Sequence, residues 1–334
     1  MYKGALRSWG DMQNSLSSIE LCAGGGGQAL GLERAGFDHE ALVEIDDWSR
    51  KTLQLNRPNW NVIEGPQSDL TNFDARPYKG VDLVAGGVPC PPFSRAGKQL
   101  GPSDERDLFP QALRVIDEVR PKAVMLENVR GFLDAVFTDY RHELKTQLKK
   151  LDYTLVEWRL LNASDYGVSQ LRPRVVIVAI HKTFADHFEW PKSDTTRALS
   201  VGEKLHDLMA ANGWRGAQAW RKQADEIAPT IVGGSKKHGG PDLGPTRARN
   251  AWATLGVNGS TIAEHAPDEA FEGMPRLTVR MVARLQGFPD DWQFAGRKTA
   301  SYRQIGNAFP PPVAQAVASN IRAAIATRRL FAVA

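Results

Sequence analysis

Short apolar runs alternate with helix-type patterns over the first half of the chain. Six runs read as buried strands, because each is short, apolar and bounded by turn residues. They are Ser18–Cys22, Ala41–Ile45, Val81–Ala85, Lys122–Leu126, Tyr153–Leu160 and Val175–Ile180. Between them, apolar residues three and four positions apart predict helices over Asp107–Val119 and Thr138–Leu151. This alternation predicts an α/β fold with a doubly wound, mainly parallel sheet and helices on both faces.

The pattern changes after His181. As far as about Pro275, Gly, Trp, Arg and Lys are scattered without strand–helix alternation, which predicts a second, smaller and more irregular domain. The helical pattern returns over Leu277–Asp291 and Tyr302–Arg328. Pro312 stands near the start of the last helix, a position where proline is tolerated.

Bulk composition excludes some classes of protein and leaves others open. The 334 residues are 42% hydrophobic and 24% charged, which is ordinary for a globular protein. No apolar run approaches the roughly 20 residues of a membrane helix, and the amino terminus lacks the apolar segment of a signal peptide. Two cysteines occur, neither in a metal-ligand spacing, so no metal site is expected and a reducing cytoplasm suits them. The net charge of +4 suits a polyanionic partner.

Cys90 stands in a rigid frame of Gly and Pro, Gly86 to Ser94, directly after the third predicted strand. The carboxyl ends of strands in open α/β sheets are where ligands bind and reactive groups lie. Three prolines restrict the backbone around this thiol. A buried structural cysteine is the simpler reading, since free Cys is often buried. We favour a nucleophile, because a merely structural cysteine would not explain so much rigid backbone around one sulfur.

Three further groups lie at predicted strand ends. Glu127 follows the fourth strand, and Arg172 and Arg174 lead into the sixth. Taken singly, Glu127 with its neighbour Asn128 could cap a helix, and the arginines could be solvated surface charge. Taken together beside a framed cysteine, they indicate an active site.

A glycine run, Gly24 to Gly27, follows the first strand and opens a helix, and Glu44 closes the second strand. Such a loop lets the backbone approach a ligand, and the carboxylate could accept hydrogen bonds from ribose hydroxyls. The pattern also fits a dinucleotide-binding protein or a plain tight turn, and glycine spacing alone does not separate these.

In this order, these motifs strongly resemble the DNA (cytosine-5) methyltransferase family of the bacterial restriction–modification type, from about Ser18 to about Ile321. The resemblance implies a Rossmann-like class I fold that uses S-adenosyl-L-methionine as cofactor. It implies a catalytic domain over residues 1–185 and 296–334, completed by the last helix. Residues 186–295 would form the target-recognition domain and hinge.

The resemblance also assigns roles to residues. Cys90 would attack carbon 6 of cytosine, Glu127 would bind ring nitrogen 3 or the 4-amino group, Arg174 would donate to the position-2 oxygen, and Arg172 would support the catalytic site. The residues expected to bind the cofactor are Cys22, Ala23, Gly24, Gly26, Gly27, Glu44, Ile45, Asp69, Leu70, Gly87, Pro89, Asn307 and Ala308. Those expected to contact DNA are Ser94, Arg95, Lys98, Lys236, Lys237, Arg247 and Arg249. Cys22 and Ile45 depart from the aromatic residues usual in the family.

The implied reaction is methyl transfer to carbon 5 of a cytosine flipped out of a short duplex DNA target. Partners would be double-stranded DNA and a possible cognate restriction endonuclease, and the protein would be a monomer in the bacterial cytoplasm, at the nucleoid, without a membrane partner. One alternative is a transfer-RNA cytosine-5 methyltransferase, disfavoured by the long stretch between Arg174 and Arg276, which has room for a duplex-reading domain. Another is a non-catalytic DNA-binding relative, against which the presence of Cys90, Glu127 and Arg174 argues.

Overall fold

The computed structural model describes residues 15–89, 107–193, 198–234 and 240–331. At its centre is one sheet of six strands in the order β2-β1-β3-β4-β6-β5. The strands are β1 Leu16–Leu21, β2 Phe37–Val43, β3 Leu83–Gly86, β4 Ala123–Val129, β5 Tyr153–Asn162 and β6 Pro173–His181. All six predicted strands are present, and the prediction of a mainly parallel sheet is confirmed.

One strand, β6, runs against the other five. β1 pairs in parallel with β2 and β3, and β3 with β4, whereas β6 is antiparallel to both β4 and β5. Because β6 is reversed, its first residues lie where β4 ends, and Val129 stands opposite Arg174. Arg174 therefore reaches the carboxyl edge of the sheet although it stands at the beginning of its own strand.

Helices cover both faces of this sheet. Those described are α1 Gly27–Arg34, α2 Asp47–Asn56, α3 Phe109–Val119, α4 Thr138–Lys150, α5 Val201–Met209, α6 Ala217–Gln223, α7 Thr246–Thr254, α8 Val279–Leu285, α9 Lys298–Asn307 and α10 Pro311–Phe331. Apolar residues of α3 and α4, such as Ile116 and Leu148, pack with one face of the strands. Leu32 of α1 and Val317 and Ile321 of α10 pack on the other. No described helix is long and apolar enough to cross a bilayer.

Two helical predictions near the carboxyl end are corrected in extent. The pattern over 277–291 gives only the short helix α8, and the pattern over 302–328 is divided into α9 and α10 by Ala308, Phe309 and Pro310. Pro310 has no backbone N–H to continue a helix and disfavours helical φ/ψ angles at the residue before it. The end of α9 and the residues after it, 303–309, lie at the carboxyl edge of the sheet.

A further cluster of buried side chains contains three tryptophans of the irregular region. Trp214, Trp220 and Trp252 pack there with helices α5 and α8, and Tyr302 and Ile305 of α9 belong to the same cluster. The division of the chain at residues 185 and 295 stays a prediction.

Candidate active site

A cavity of about 480 Å³ opens at the carboxyl edge of the sheet. This volume lies within the range of about 300–1,000 Å³ that small-molecule sites occupy. Its walls come from the ends of β1, β2, β3 and β4, from the start of β6, and from the segment between α9 and α10. The lining residues are Glu20, Cys22, Ala23, Gly24, Gly27, Gln28, Glu44, Asp46, Ser49, Gly87, Pro89, Glu127, Val129, Arg174, Gly234, Arg303, Gln304, Asn307, Ala308 and Phe309.

The glycine loop and Glu44 form one side of the cavity. The N–H of Gly24, which has a φ of +55°, donates to Glu44 Oε2 at 2.7 Å, and the N–H of Asp46 donates to Glu44 Oε1 at 2.7 Å. Each carboxylate oxygen is thereby oriented by one backbone donor and keeps acceptor capacity for a ligand. Two hydroxyl groups on adjacent carbons, as in ribose, match this arrangement.

Gly27 allows the first turn of α1 to approach the carboxyl-terminal segment closely. A Cβ at this position would lie 2.3 Å from the carbonyl oxygen of Phe309 and 3.0 Å from Cβ of Ala308. Since carbonyl and backbone atoms cannot yield as a flexible side chain can, the loop requires glycine here. The contact closes the cavity on its second side.

Carboxylates outnumber cations among the lining side chains. Glu20, Glu44, Asp46 and Glu127 line the cavity together with Arg174 and Arg303. Burial raises the pKa of Glu20 well above its usual range, and among the described residues its Oε2 atom has no hydrogen-bond partner. This unpartnered carboxyl oxygen is available to form a hydrogen bond with a polar group of a ligand.

Glu127 and Arg174 form a buried ion pair. Arg174 Nε lies 2.7 Å from Glu127 Oε1, and Arg174 Nη1 also donates to the carbonyl of Pro173 at 2.8 Å. Burial raises the pKa of Glu127, and the charges of Arg174 and Arg172 oppose this rise. Such a carboxyl, only 8% exposed, is protonated more readily than a solvated one and can then donate a hydrogen bond. A Cβ at Gly87 would lie 3.3 Å from Glu127 Oε2, so glycine at this position keeps the space beside this carboxyl oxygen open.

Asn128 does not cap a helix, which was one reading of the sequence. It lies in β4, where its Nδ2 donates to the carbonyl of Val88 at 3.1 Å. At the far side of the same connection, the N–H of Leu108 donates to the carbonyl of Pro89 at 3.2 Å. The residues on either side of positions 90–106 are thus held together at the cavity. Cys90 itself lies outside the described residues, directly after Pro89.

Arg172 was expected to support the catalytic site, and it does not itself line the cavity. Its side chain is fully buried, and it donates to the carbonyls of Ile231 at 2.6 Å, Gly306 at 2.6 Å and Ala308 at 3.0 Å. All three acceptors are main-chain atoms of other segments, so the guanidinium joins segments and does not face a substrate.

Of the thirteen residues expected to bind the cofactor, nine line the cavity and four do not. Gly26 faces away, since a Cβ there would lie 2.8 Å from side-chain atoms of both Leu53 and Trp292. Leu70 is part of the sheet core, and Ile45 is 65% exposed. Asp69 Oδ1 accepts hydrogen bonds from the N–H and the hydroxyl of Thr71.

Among the residues expected to contact DNA, Arg247 and Arg249 are exposed on α7. The remaining expected DNA contacts, Ser94, Arg95, Lys98, Lys236 and Lys237, lie outside the described residues.

Sequence reasoning missed several lining residues. Glu20 stands inside β1 and looked like an ordinary strand residue, although a charged residue in a buried strand was an available signal. Nη2 of Arg303, a residue of α9, lies 3.7 Å from Oδ2 of Asp46. The other carboxylate oxygen of Asp46, Oδ1, accepts the N–H of Ser49 at the start of α2. Pairs of this kind join positions far apart in the chain, and neither member stands out alone.

Cys22 lines the cavity but is unsuited to nucleophilic attack. Burial, with a further contribution from the charge of Glu44, raises the pKa of its thiol, so it stays protonated. The thiolate is the reactive form of cysteine. Of the two cysteines in the sequence, Cys90 is therefore the candidate nucleophile.

Comparison with known proteins agrees with this geometry. The model of the family "C-5 cytosine-specific DNA methylase" matches residues 16–323. The chain belongs to this family. It is 56% identical to the type II methyltransferase M.NgoMIV of Neisseria gonorrhoeae over 91% of this chain and 96% of that protein. It is 55% identical to the type II methyltransferase M.NaeI of Lentzea aerocolonigenes over 93% of this chain and 76% of that protein.

Solved structures show the same fold. The S. pombe Dnmt2 methyltransferase aligns with a TM-score of 0.61 at 18% identity and covers 94% of this chain and 99% of that one. Spodoptera frugiperda DNMT2 aligns with a TM-score of 0.62 at 18% identity. The Rossmann-like methyltransferase fold expected from the sequence is confirmed.

Family membership establishes the reaction and the cofactor. The enzyme is a DNA (cytosine-5) methyltransferase that uses S-adenosyl-L-methionine. The cavity fits this cofactor on two counts, the oriented carboxylate of Glu44 for vicinal hydroxyls and the buried Glu20 oxygen that has no partner among the described residues. Gly24, Gly27, Glu44, Asn307 and Ala308 are placed to hold it.

Proposed function

We propose that the enzyme methylates a cytosine that is flipped out of duplex DNA, with Cys90 as the covalent nucleophile. The observation that carries the proposal is the Glu127–Arg174 ion pair, which lines the same cavity as the glycine loop and Pro89. A cytosine ring is too electron-poor at carbon 5 to be alkylated directly. The geometry therefore has to supply a way of activating the ring.

Activation begins when the Cys90 thiolate forms a bond to carbon 6 of the base. The electron pair of the carbon 5–carbon 6 double bond moves toward carbon 5, and negative charge spreads to ring nitrogen 3 and the position-2 oxygen. A proton on Glu127 stabilises nitrogen 3, and the Arg174 guanidinium stabilises the oxygen. When bound, the cofactor supplies an electrophilic methyl group. Carbon 5 takes the methyl group, which leaves S-adenosyl-L-homocysteine. The proton on carbon 5 then passes to water, the carbon 5–carbon 6 double bond forms again, and the carbon 6–sulfur bond breaks to release the Cys90 thiolate.

Base flipping follows from where these groups lie. Glu127 is buried at the bottom of the cavity, and a base inside a duplex is covered by its stacked neighbours. Extruding one nucleotide costs a few kcal/mol and gives its ring edge to Glu127 and Arg174. We propose that residues 186–295 read the sequence around the target, with Arg247 and Arg249 among the groups that contact DNA.

We further propose that the enzyme belongs to a restriction–modification pair. Its relatives of 55–56% identity are named as type II methyltransferases, and both come from bacteria. A cognate endonuclease cutting the same sequence, and a monomeric enzyme acting at the nucleoid in the cytoplasm, are part of this proposal.

A covalent trap tests the chemistry. Duplex DNA that carries 5-fluorocytosine has no proton to lose at carbon 5, so the adduct with the enzyme persists through denaturing electrophoresis. The wild type and Cys22→Ser should give a shifted band in the presence of cofactor, and Cys90→Ser should give none. A band of equal intensity from Cys90→Ser would exclude this nucleophile. Mapping of 5-methylcytosine in DNA from cells that express the enzyme would identify the target and whether it is duplex DNA.

A further inference from the structure

Alternate residues before β6 hold one residue of the recognition region by both of its main-chain groups. Gln170 Oε1 accepts the N–H of Ile231 at 2.9 Å, and Arg172 Nη1 donates to the carbonyl of Ile231 at 2.6 Å. Side chains two residues apart on an extended segment point the same way. Arg174, two residues further, enters the catalytic cavity.

The same two side chains are tied to the segment between α9 and α10. Arg172 Nη2 donates to the carbonyls of Gly306 and Ala308. Gln170 Nε2 donates to Gln286 Oε1 at 2.6 Å, and Gln286 Nε2 donates to the carbonyl of Ala308 at 2.6 Å. Gln170, Arg172 and Gln286 are fully buried, so a bond lost here leaves a buried polar group without a partner.

Two glycines bring the backbones of these segments into contact. A Cβ on Gly306 would lie 2.4 Å from both Cα and N of Gly233, and a Cβ on Gly233 would lie 2.5 Å from Asn307 Oδ1. Asn307 Nδ2 also donates to the carbonyl of Gly234 at 3.3 Å. Gly234 and Asn307 both line the cavity. Residues 231–234 thus bring Gly234 into the wall of the cofactor cavity.

We propose that Arg172 is a positioning residue that fixes residues 231–234 against the Gly306–Ala308 segment, so that DNA binding and cofactor binding are coupled through this wall. The inference rests on the proposed function. Residues 231–234 run directly into Lys236 and Lys237, which are expected to meet DNA. Any shift of this wall on DNA binding alters the cavity, and by linkage the cofactor site alters DNA affinity by the same factor.

Calorimetric titration with S-adenosylhomocysteine, with and without a saturating duplex that contains the mapped target, tests the coupling. In the wild type the duplex should tighten S-adenosylhomocysteine binding by a factor within the usual range of about 5 to 150. Gly306→Ala should bind the ligand more weakly without DNA and bring that factor toward one, because the new methyl group separates Gly306 from Gly233. Gly131→Ala is the matched control, since a Cβ there would meet nothing closer than Asp134 Oδ2 at 3.8 Å.

Arg172→Lys separates positioning from general stability. A lysine keeps the charge but cannot reach three carbonyls, so the coupling factor should fall and the KM for DNA should rise more than kcat falls. If both variants retained the wild-type coupling factor, or if the wild type showed none, the proposal would be overturned. Should either variant fail to fold, hydrogen exchange of the wild type decides the matter. The amide of Ile231 should exchange more slowly with either ligand and slowest with both, and unchanged exchange contradicts the proposal.

The outcome is separable from that of the proposed function. A wild type that methylates carbon 5 without coupling would refute only the positioning role of Arg172. A wild type that forms no adduct with 5-fluorocytosine would refute the proposed chemistry whatever the binding data.

Discussion

Glu127 and Arg174 form a diagonal pair across two antiparallel strands. In the register of β4 and β6, Glu127 stands opposite Val176 and Val129 opposite Arg174, so the two charged residues are offset by two positions and still approach to 2.7 Å. Packing of the whole sheet thus sets their separation. The pair places a carboxyl whose pKa is raised by burial beside a fixed cation in the cavity.

Replacing Glu127 by Gln should lower kcat by about 10²–10⁴-fold, because an amide cannot supply a proton to ring nitrogen 3. Replacing Arg174 by Met removes the charge that opposes the upward shift of the Glu127 pKa. The limb of the kcat/KM profile that belongs to Glu127 should then move to higher pH. Steady-state methyl transfer measured against pH checks both, with Arg159→Met on β5 as control. An unmoved limb would show that Glu127 does not govern it.

The close approach of Gly27 to Phe309 predicts a costly substitution. Gly27→Ala should destabilise the fold by about 1–3 kcal/mol, because the added methyl group meets a carbonyl oxygen that cannot move aside. It should also weaken binding of S-adenosylhomocysteine. Denaturant unfolding and calorimetry measure the two effects, and Gly131→Ala should show neither. A fully stable Gly27→Ala protein would mean that residues 308–309 shift freely.

His39 should make the protein sensitive to mild acid. Its ring bridges the hydroxyl of Ser18 and the carbonyl of Ala29, and burial lowers its pKa to about 4. The unfolded chain binds a proton near pH 6.5 and the folded chain does not, so stability falls as pH decreases from about 6.5 to about 4. The loss is at most about 3 kcal/mol.

Urea unfolding at several pH values checks this expectation. His39→Gln should flatten the pH dependence in that interval, whereas His142→Gln on the exposed side of α4 should leave it unchanged. An equally steep profile for His39→Gln would assign the acid sensitivity to other groups.

Glu20 should have the opposite pH dependence. Its pKa is raised in the folded state, so the stability associated with it is complete below about pH 4.5 and is lost as pH rises through the folded-state pKa. Glu20→Gln should therefore be more stable than the wild type at about pH 8 and similar to it at about pH 4.5, measured without ligand. Glu40→Gln, on the exposed side of β2, should have the same stability as the wild type at both pH values. If Glu20→Gln were less stable than the wild type at the higher pH, the Glu20 pKa would not be raised in the folded protein.

Hydrophobic pattern alone predicted the six strands and the helices α3 and α4, because short buried runs and periodic apolar faces are local signals, but it did not predict α2. It did not predict that β6 is reversed, since a buried strand has the same composition in either direction. The motif at residues 170–174 shows the same limit. Three polar residues at alternate positions look alike in sequence, yet Arg174 enters the cavity while Gln170 and Arg172 bind main-chain atoms of segments that lie 59 to 136 residues away. Such partners become visible only when the chain is folded.

The contact between Gly27 and Phe309 has a consequence for biosynthesis. The cofactor pocket is begun by residues 22–27 after β1 and is completed by residues 303–309, which the ribosome adds after all six strands of the sheet. A nascent chain that stops before residue 303 lacks this side of the pocket, so the sheet alone cannot enclose the cofactor during synthesis.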